Sequence, residues 1–349
     1  MRTRQSCQSE AAARLSAGPA IAVPAITIFL ESSLSTSGQH RREEPRAAIG
    51  REMRRLLMCP TVKTVIEMRV IEHRGIKLAT EAFGDPNDPP VLLVMGATAS
   101  MLGWPDELCT ELAERRLFVI RFDHRDTGQS TTVPPGDATY AVEDLADDAI
   151  AVLDAYGIRK AHLAGMSLGG YIAQMLAVTQ PERVASLILI ASEPLGWDGG
   201  ELPHISQLFM DHFGRLGALD WSDRDAVADF LVGSERLCAG TGAAFDEGRE
   251  RARVERVMSR TNSLPSMFNH GTIVTREDWT GRFREVACPV LVIHGAEDPI
   301  LPIENGRALA EAIPGASLIV LAGTGHEIPL PTIPDIVARI AAHVRGFQL

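Results

Sequence analysis

The sequence predicts an α/β fold, with a mostly parallel sheet, helices on both of its faces and a helical lid inserted between two strands. Short apolar runs typical of strands buried on both faces alternate with amphipathic helical patterns over residues 91–191. The same alternation resumes over residues 289–344. Between them the pattern is helical, so residues 193–285 are expected to form a lid over the carboxyl ends of the strands, where open α/β sheets bind ligands.

The predicted strands are apolar or β-branched runs bounded by turn residues. The first two flank the turn His73-Arg74-Gly75, and a segment rich in helix and strand breakers, residues 84–90, precedes the third. Because helices separate the later strands, parallel pairing with right-handed crossovers is expected. The strands are expected over residues 65–71, 76–83, 91–95, 118–122, 161–166, 184–191, 289–294 and 317–321.

The predicted helices carry apolar residues three or four positions apart. In the helix expected over residues 142–156, for example, Leu145, Ala149 and Val152 share one face. Further helices are expected over residues 105–115, 168–179, 303–313 and 333–344, and within the lid over residues 205–215, 223–232 and 245–259. The sheet and its helices should therefore comprise residues 62–192 and 286–349.

Composition excludes several classes of partner. The chain has 349 residues and a formal net charge of −11, which disfavours nucleic acids and anionic membranes because both are negatively charged. The five cysteines are odd in number and form no CxxC pair, so neither a disulfide framework nor a metal site is expected. That pattern suits a reducing cytoplasm. No apolar run reaches the roughly 20 residues that a bilayer span requires.

The amino-terminal segment, residues 1–61, lacks the strand–helix alternation. It is expected to be disordered or to reflect a start codon placed too far upstream, with Met53, Met58 and Met68 as alternative starts. An apolar stretch over residues 17–30 is loosely similar to an export signal, but two prolines interrupt it and no small-residue cleavage site follows. A cytoplasmic location is therefore favoured, with export as the alternative.

The first chemical motif is the segment Gly165-Met166-Ser167-Leu168-Gly169. G-x-S-x-G is a weak signal alone, but here it lies between a predicted strand and a predicted helix, as in a nucleophile elbow. Such a turn is tight enough to require small flanking residues, and it presents the serine at a helix amino terminus, where the dipole favours a developing anion. Ser167 is the predicted nucleophile, and a structural turn that happens to contain serine is the alternative.

A serine hydroxyl needs a general base. Among ten histidines, His326 is the candidate, because it lies in a glycine-flanked loop directly after the last predicted strand. His162 and His294 lie inside or at the end of strands and are expected to be structural. His270, in the lid, is expected to be solvated or to cap a helix, with substrate contact as the alternative.

The histidine in turn needs a carboxylate that fixes its tautomer. Asp298 follows the strand expected over residues 289–294 and precedes His326 by 28 residues. One helix and one strand fit in that interval, which places the two loops side by side. The neighbouring Glu297 is expected to point away from the histidine or to solvent. The order Ser167, Asp298, His326 is the one expected for a nucleophile elbow of this kind.

An oxyanion hole requires two preorganised backbone N–H groups. One is expected from Leu168, directly after the nucleophile. The other is expected from Ala97, in the loop after the strand over residues 91–95.

Together these residues resemble the α/β-hydrolase superfamily over about residues 62–349. Residues 94–105 and the string Asp123-His124-Arg125-Asp126-Thr127-Gly128 resemble, within it, the aclacinomycin methylesterase type of polyketide-tailoring serine esterase. Most superfamily members carry glycine where Asp126 stands, and many carry His-Gly where Met95-Gly96 stands, a change that keeps the backbone donor. The string is expected to form a hydrogen-bonded turn that supports the oxyanion loop.

The resemblance implies hydrolysis of a small-molecule carboxylic ester, such as the methyl ester of a polyketide-like compound, without cofactor or metal. Haloalkane dehalogenases and epoxide hydrolases are disfavoured, because they need aspartate at the position of Ser167. Cofactor-free haloperoxidase, carbon–carbon bond hydrolase and acyltransferase activities stay open, since all can use the same triad. An aminopeptidase would need acidic lid residues such as Glu193, Asp198 and Glu201. A non-catalytic binding protein of the same fold is the alternative of a different class.

Overall fold

One eight-stranded sheet, in the order β1-β2-β4-β3-β5-β6-β7-β8, organises the computed structural model, which describes residues 66–346. The extension expected over residues 1–61 lies outside the described residues. From β4 to β8 all neighbouring strands are parallel, whereas β1 and β2 pair antiparallel with each other and β2 with β4. The strands are β1 Ile66–His73, β2 Ile76–Phe83, β3 Pro90–Val94, β4 Phe118–Phe122, β5 Ala161–Met166, β6 Val184–Ile190, β7 Val290–Gly295 and β8 Ser317–Leu321.

Within the described residues, eight α-helices accompany the sheet. They are α1 Asp106–Glu114, α2 Val142–Ala155, α3 Leu168–Thr179, α4 Gln207–Phe213, α5 Arg224–Cys238, α6 Glu247–Arg260, α7 Ile303–Ala312 and α8 Ile333–Gly346. The helices α1 and α8 bury apolar residues against one face of the sheet, and α2, α3 and α7 against the other. The central strands therefore need apolar side chains on both faces, which explains why they read as continuous apolar runs.

The segment of residues 193–285, here called the helical insertion, joins the end of β6 to the start of β7. It contains α4, α5, α6 and several short 3₁₀ turns, and it has a small apolar cluster of its own where Val227 and Val232 of α5 meet Val254 and Met258 of α6. Among residues 66–346, no helix combines the length and the apolar character needed to cross a bilayer.

Helix α5 is longer than the sequence pattern predicts, because it continues through Gly233 to Cys238 instead of ending at residue 232. Glycine commonly ends a helix, but here it has a packing role. A Cβ at position 233 would lie 2.9 Å from Cε1 of His212 on α4, so only glycine lets these two helices approach so closely.

Candidate active site

Ser167 occupies the sharp turn between β5 and α3. Its φ of 53° and ψ of −122° lie in a region that side chains with a Cβ rarely adopt, and the turn is fixed by the Ser167 N–H donating to the Ile190 carbonyl at 2.9 Å. The surrounding glycines are sterically required. A Cβ at Gly165 would lie 2.2 Å from the carbonyl oxygen of Gly169, and one at Gly169 would lie 2.0 Å from that of Val94. The tight strand–turn–helix geometry that the sequence predicts around Ser167 is therefore present.

His326 and Asp298 meet in the loops that follow β8 and β7. Nδ1 of His326 lies 2.7 Å from Oδ2 of Asp298, so Nδ1–H donates to the carboxylate and Nε2 is left as an acceptor. The other carboxylate oxygen, Oδ1, accepts the backbone N–H groups of Ile300 and Leu301, both at 2.8 Å. Asp298 is thus held on both oxygens, and the imidazole is fixed in one tautomer.

The environment keeps Asp298 ionised. Burial raises the pKa of its carboxyl, but the charge and the hydrogen bond of His326, with smaller contributions from His294 and the Leu301 N–H, outweigh burial and leave the pKa below its usual value. A charged carboxylate at this position accepts the Nδ1–H of His326 and so holds the imidazole in its orientation.

The three residues lie at one edge of the sheet, because Ser167, Asp298 and His326 follow the carboxyl ends of parallel strands. Asp298 and His326 are in contact. Among the hydrogen bonds within residues 66–346, none joins the Ser167 hydroxyl to His326. In proteins without a bound substrate such contacts are often long and tighten when the substrate binds.

The loop after β3 lies directly against the serine. A Cβ at Gly96 would be 3.2 Å from Cβ of Ser167, so the backbone of this loop passes within contact distance of the nucleophile. The N–H of Thr98 donates to Nδ1 of His270 at 3.1 Å. The N–H groups of Ala97 and Leu168, by contrast, have no protein acceptor in the part of the chain that the structure describes, which leaves them free to bind a ligand oxygen.

The Asp123–Gly128 segment supports this loop, as the sequence led us to expect. Nε2–H of His124 donates to the Met95 carbonyl at 3.0 Å, and Oδ1 of Asp123 accepts the Met101 N–H at 2.8 Å. Burial lowers the pKa of His124 to about 3, so this histidine is a neutral structural donor. Asp126 has a φ of 67°, a conformation that glycine adopts without strain.

His270 corrects one expectation. It is neither solvated nor a helix cap: it is 1% exposed, and its ring joins the N–H of Thr98 to the carbonyl of Arg125, which accepts Nε2–H at 2.8 Å. Burial lowers its pKa, which favours the neutral ring that this pair of contacts requires. The helical insertion therefore fixes the oxyanion loop through a side chain that no local pattern marked as buried.

The expectations for His162, His294 and Glu297 are confirmed. Nδ1 of His162 lies 2.8 Å from the Ser186 hydroxyl, and Nε2–H of His294 donates to the Leu301 carbonyl at 2.6 Å, so both are structural. Glu297 is exposed, and its carboxylate accepts the N–H and the hydroxyl of Thr241, both at 2.8 Å, instead of approaching His326.

The loop that carries His326 is itself held by the helical insertion, a contact that the sequence did not predict. The His326 N–H donates to the Cys238 carbonyl at 2.8 Å, and the Gly242 N–H donates to the Gly323 carbonyl at 2.7 Å. A Cβ at Gly325 would lie 2.0 Å from the Cys238 carbonyl oxygen, so glycine is the residue that permits this approach. In the sequence, the glycines before His326, Gly323 and Gly325, were the only local indication of this close approach.

Comparison with known proteins places this geometry in a family. A sequence family described as alpha/beta hydrolase fold matches residues 89–331. Rhodomycin D methylesterase DauP of Streptomyces sp. (strain C5) is 35% identical over 293 residues, which cover 80% of this chain and 98% of that enzyme. Rhodomycin D methylesterase DnrP of Streptomyces peucetius has the same identity and coverage. The crystal structure of a hydrolase from Pseudomonas aeruginosa PA01 superimposes with a TM-score of 0.59 at 24% identity, covering 80% of this chain and 97% of that one.

The chain belongs to the α/β-hydrolase fold family. Within that family it is a hydrolase of the carboxylesterase type.

Proposed function

We propose that the protein hydrolyses a methyl ester of a small, polyketide-like molecule, with Ser167 as the nucleophile, His326 as the general base and Asp298 as the residue that orients it. The observation that carries the proposal is the contact of Asp298 with His326 at the same sheet edge as a serine held in the strained turn between β5 and α3. The methylester substrate is extended from the two Streptomyces methylesterases, which align over nearly their whole length.

In the first half of the reaction, Oγ of Ser167 attacks the ester carbonyl carbon while Nε2 of His326 takes the hydroxyl proton. The carbonyl oxygen becomes an oxyanion, which the N–H groups of Ala97 and Leu168 stabilise. When the tetrahedral intermediate collapses, the bond to the methoxy oxygen breaks, and His326 returns the proton so that methanol leaves. The acyl group then remains on Ser167.

In the second half, water attacks the acyl group on Ser167. Nε2 of His326 removes a proton from water, whose oxygen attacks the acyl carbon, and the same oxyanion donors act again. Collapse breaks the bond to Oγ of Ser167, the proton returns to that oxygen, and the free carboxylic acid is released. Asp298 stays ionised throughout and stabilises the imidazolium in both halves.

We also propose that the helical insertion acts as a lid and largely determines which ester is accepted. The supporting contacts run from the insertion to both reactive loops: His270 holds Thr98 beside the oxyanion donors, and Cys238 holds the backbone of His326. A small cavity of about 90 Å³ between Thr98, Ser100, Phe213 and Phe268 shows that the insertion and the oxyanion loop leave space between them.

The test is hydrolysis of a methyl ester and a p-nitrophenyl ester of one acid by the wild type and by Ser167→Ala. The wild type should release methanol and p-nitrophenol, and a fluorophosphonate should label it once. Ser167→Ala should release neither product and should not be labelled, while its circular dichroism spectrum should match that of the wild type. An alanine variant that retained the wild-type rate would refute the assignment. Bromination of monochlorodimedone with peroxide, faster than ester hydrolysis, would instead favour the haloperoxidase alternative.

A further inference from the structure

A second cavity, of about 390 Å³, lies beside α3, and Ser167 is not among the residues that line it. Its walls come from the start of the helical insertion and from residues 275–280 near its end. The two walls are tied together, because the Gly281 N–H donates to the Gly196 carbonyl at 2.6 Å and the Phe283 N–H to that of Leu195 at 3.2 Å. A Cβ at Gly196 would lie 1.8 Å from the Trp279 carbonyl oxygen, so this closure requires glycine. The cavity is therefore built into the fold.

An unpaired carboxylate lines this cavity. The side chain of Glu193 is 17% exposed, and within residues 66–346 it makes no hydrogen bond. The nearest basic group is Nδ1 of His204 at 3.9 Å, and burial lowers the pKa of that imidazole, which leaves it neutral. Nδ1 of His204 is also buried without a hydrogen-bond partner. Burial alone raises the pKa of Glu193 to about 7. A largely buried carboxylate without a hydrogen-bond partner is unfavourable, and a bound cation would stabilise it.

The negative charges of Asp198 and Glu201, which lie in the same region, are balanced by an ion pair or by solvent. Asp198 forms an ion pair with Arg284 at 2.7 Å, and Glu201 stands at the exposed rim. The nearby Arg282 pairs with Glu285 at 3.1 Å. Neither Glu193 nor Glu201 has an arginine or lysine partner, but Glu201 is exposed to water, whereas the side chain of Glu193 is only 17% exposed.

Aromatic rings complete the lining. Trp197, Trp279 and Tyr171 all border the cavity together with Glu193, and the pKa of Tyr171 is raised by burial and by the charge of Glu193. Trp279 already binds a cation on one face, since the guanidinium carbon of Arg282 lies 4.7 Å from its ring centroid. Aromatic faces around a carboxylate are the combination that recognises alkylated ammonium ions.

We propose that this cavity is a binding site for an organic ammonium group, with Glu193 as the counter-ion and Trp197, Trp279 and Tyr171 as the surrounding aromatic cage. The cavity is large enough for a substituted ammonium ion. Both the charge and the alkyl substituents of such a ligand can therefore contact the cavity walls and contribute to binding. The carboxylate distinguishes such a ligand from a neutral one of the same shape.

The test uses choline and its uncharged isostere 3,3-dimethylbutan-1-ol as probes, with calorimetry at pH 8, where Glu193 is ionised. Choline should bind the wild type, and the isostere should bind at least about tenfold more weakly, since loss of a buried charge interaction is worth about a factor of ten or more. Glu193→Gln should weaken choline binding to the level of the isostere. Glu182→Gln, an exposed acid in the turn after α3, is the matched control and should bind choline like the wild type.

Trp197→Leu and Trp197→Phe provide a second line of the test that does not alter the carboxylate. The leucine variant should weaken choline binding severalfold and the phenylalanine variant should retain it, because only an aromatic face attracts the cation. Equal affinity of wild type and Glu193→Gln for choline, equal affinity for choline and isostere, or no choline binding to the wild type would each overturn the proposal.

The ammonium group could belong to the ester substrate or to a separate ligand, and a kinetic comparison separates the two. This arm alone rests on the proposed esterase function. If the substrate supplies the cation, Glu193→Gln should lower kcat/KM for butyrylcholine and leave that for 3,3-dimethylbutyl butyrate unchanged. Equal effects on both esters assign the bound ammonium to a separate ligand. Choline binding is measured without turnover, so a failed esterase proposal would leave the site assignment standing.

Discussion

Replacing Asp298 by asparagine should abolish most of the activity by reversing the tautomer of His326. Oδ1 of Asp298 accepts two backbone N–H groups at 2.8 Å, and Oδ2 faces Nδ1 of His326 at 2.7 Å. An asparagine that keeps its oxygen at the two N–H donors must present its NH₂ group to the imidazole. Nδ1 then has to accept, so the proton moves to Nε2, which can no longer take a proton from Ser167.

The opposite orientation of the asparagine does not rescue the enzyme. It would point the NH₂ group at the N–H groups of Ile300 and Leu301 and lose both hydrogen bonds, each worth about 0.5–1.5 kcal/mol. The inactive orientation should therefore dominate. Loss of the correct tautomer lowers kcat by a factor on the order of 10⁴ in serine hydrolases, which corresponds to about 5.5 kcal/mol in the activation barrier.

The assay is steady-state hydrolysis of p-nitrophenyl butyrate, with Glu297→Gln as the control. Glu297 is the adjacent acid, it is exposed, and a glutamine oxygen can still accept from Thr241, so this variant should stay close to the wild-type rate. A kcat for Asp298→Asn within tenfold of the wild type would refute the argument. A larger loss in Glu297→Gln than in Asp298→Asn would assign the orienting carboxylate to the neighbour.

Three further outcomes are expected. Gly325→Ala should lower kcat about 10- to 100-fold, because its Cβ would lie 2.0 Å from a carbonyl oxygen of the helical insertion. The control variant Gly248→Ala should keep the wild-type kcat, because its Cβ would meet only a side-chain oxygen at 3.6 Å. Equal rates of the two variants would contradict this prediction. His270→Ala should lower both kcat and the melting temperature, because it removes the acceptor of the Thr98 N–H. The free energy of unfolding should fall by about 1–3 kcal/mol. Unchanged values of kcat and of the melting temperature would refute this prediction. In the folded protein the pKa of Glu193 is about 7, against a usual 4.5, so folding is favoured while Glu193 is protonated. As the pH rises from 5 to 8, the free energy of unfolding of the wild type, measured with urea, should fall by about 1–3 kcal/mol relative to that of Glu193→Gln. Parallel pH profiles of the two proteins would contradict this.

The sheet and the candidate triad could be predicted because their signals are local. A strand buried on both faces is apolar at nearly every position, as in β4 and β6, and the glycines around Ser167 fall within a motif of five residues. The triad partners follow from chain order, since loops after neighbouring parallel strands lie at one edge.

The burial of His270 and the cavity at Glu193 could not be predicted in this way. His270 lies in a short 3₁₀ turn without apolar periodicity, and its partners, Thr98 and Arg125, are more than a hundred residues away in the chain. The Glu193 cavity depends on backbone contacts between Gly196 and Gly281, two glycines whose roles appear only when the chain has closed. Long-range pairings of single residues leave no pattern in a window of sequence.

The helical insertion does more than cover the sheet edge. It holds the loop after β3 through His270 and the loop of His326, the proposed general base, through the Cys238 carbonyl, so the positions of both loops depend on it. A change in the insertion that adapts it to another ester therefore also changes the positions of the catalytic groups. Substrate preference and kcat should vary together among lid variants, because altered lid packing moves the Thr98 and His326 loops as well as the pocket walls.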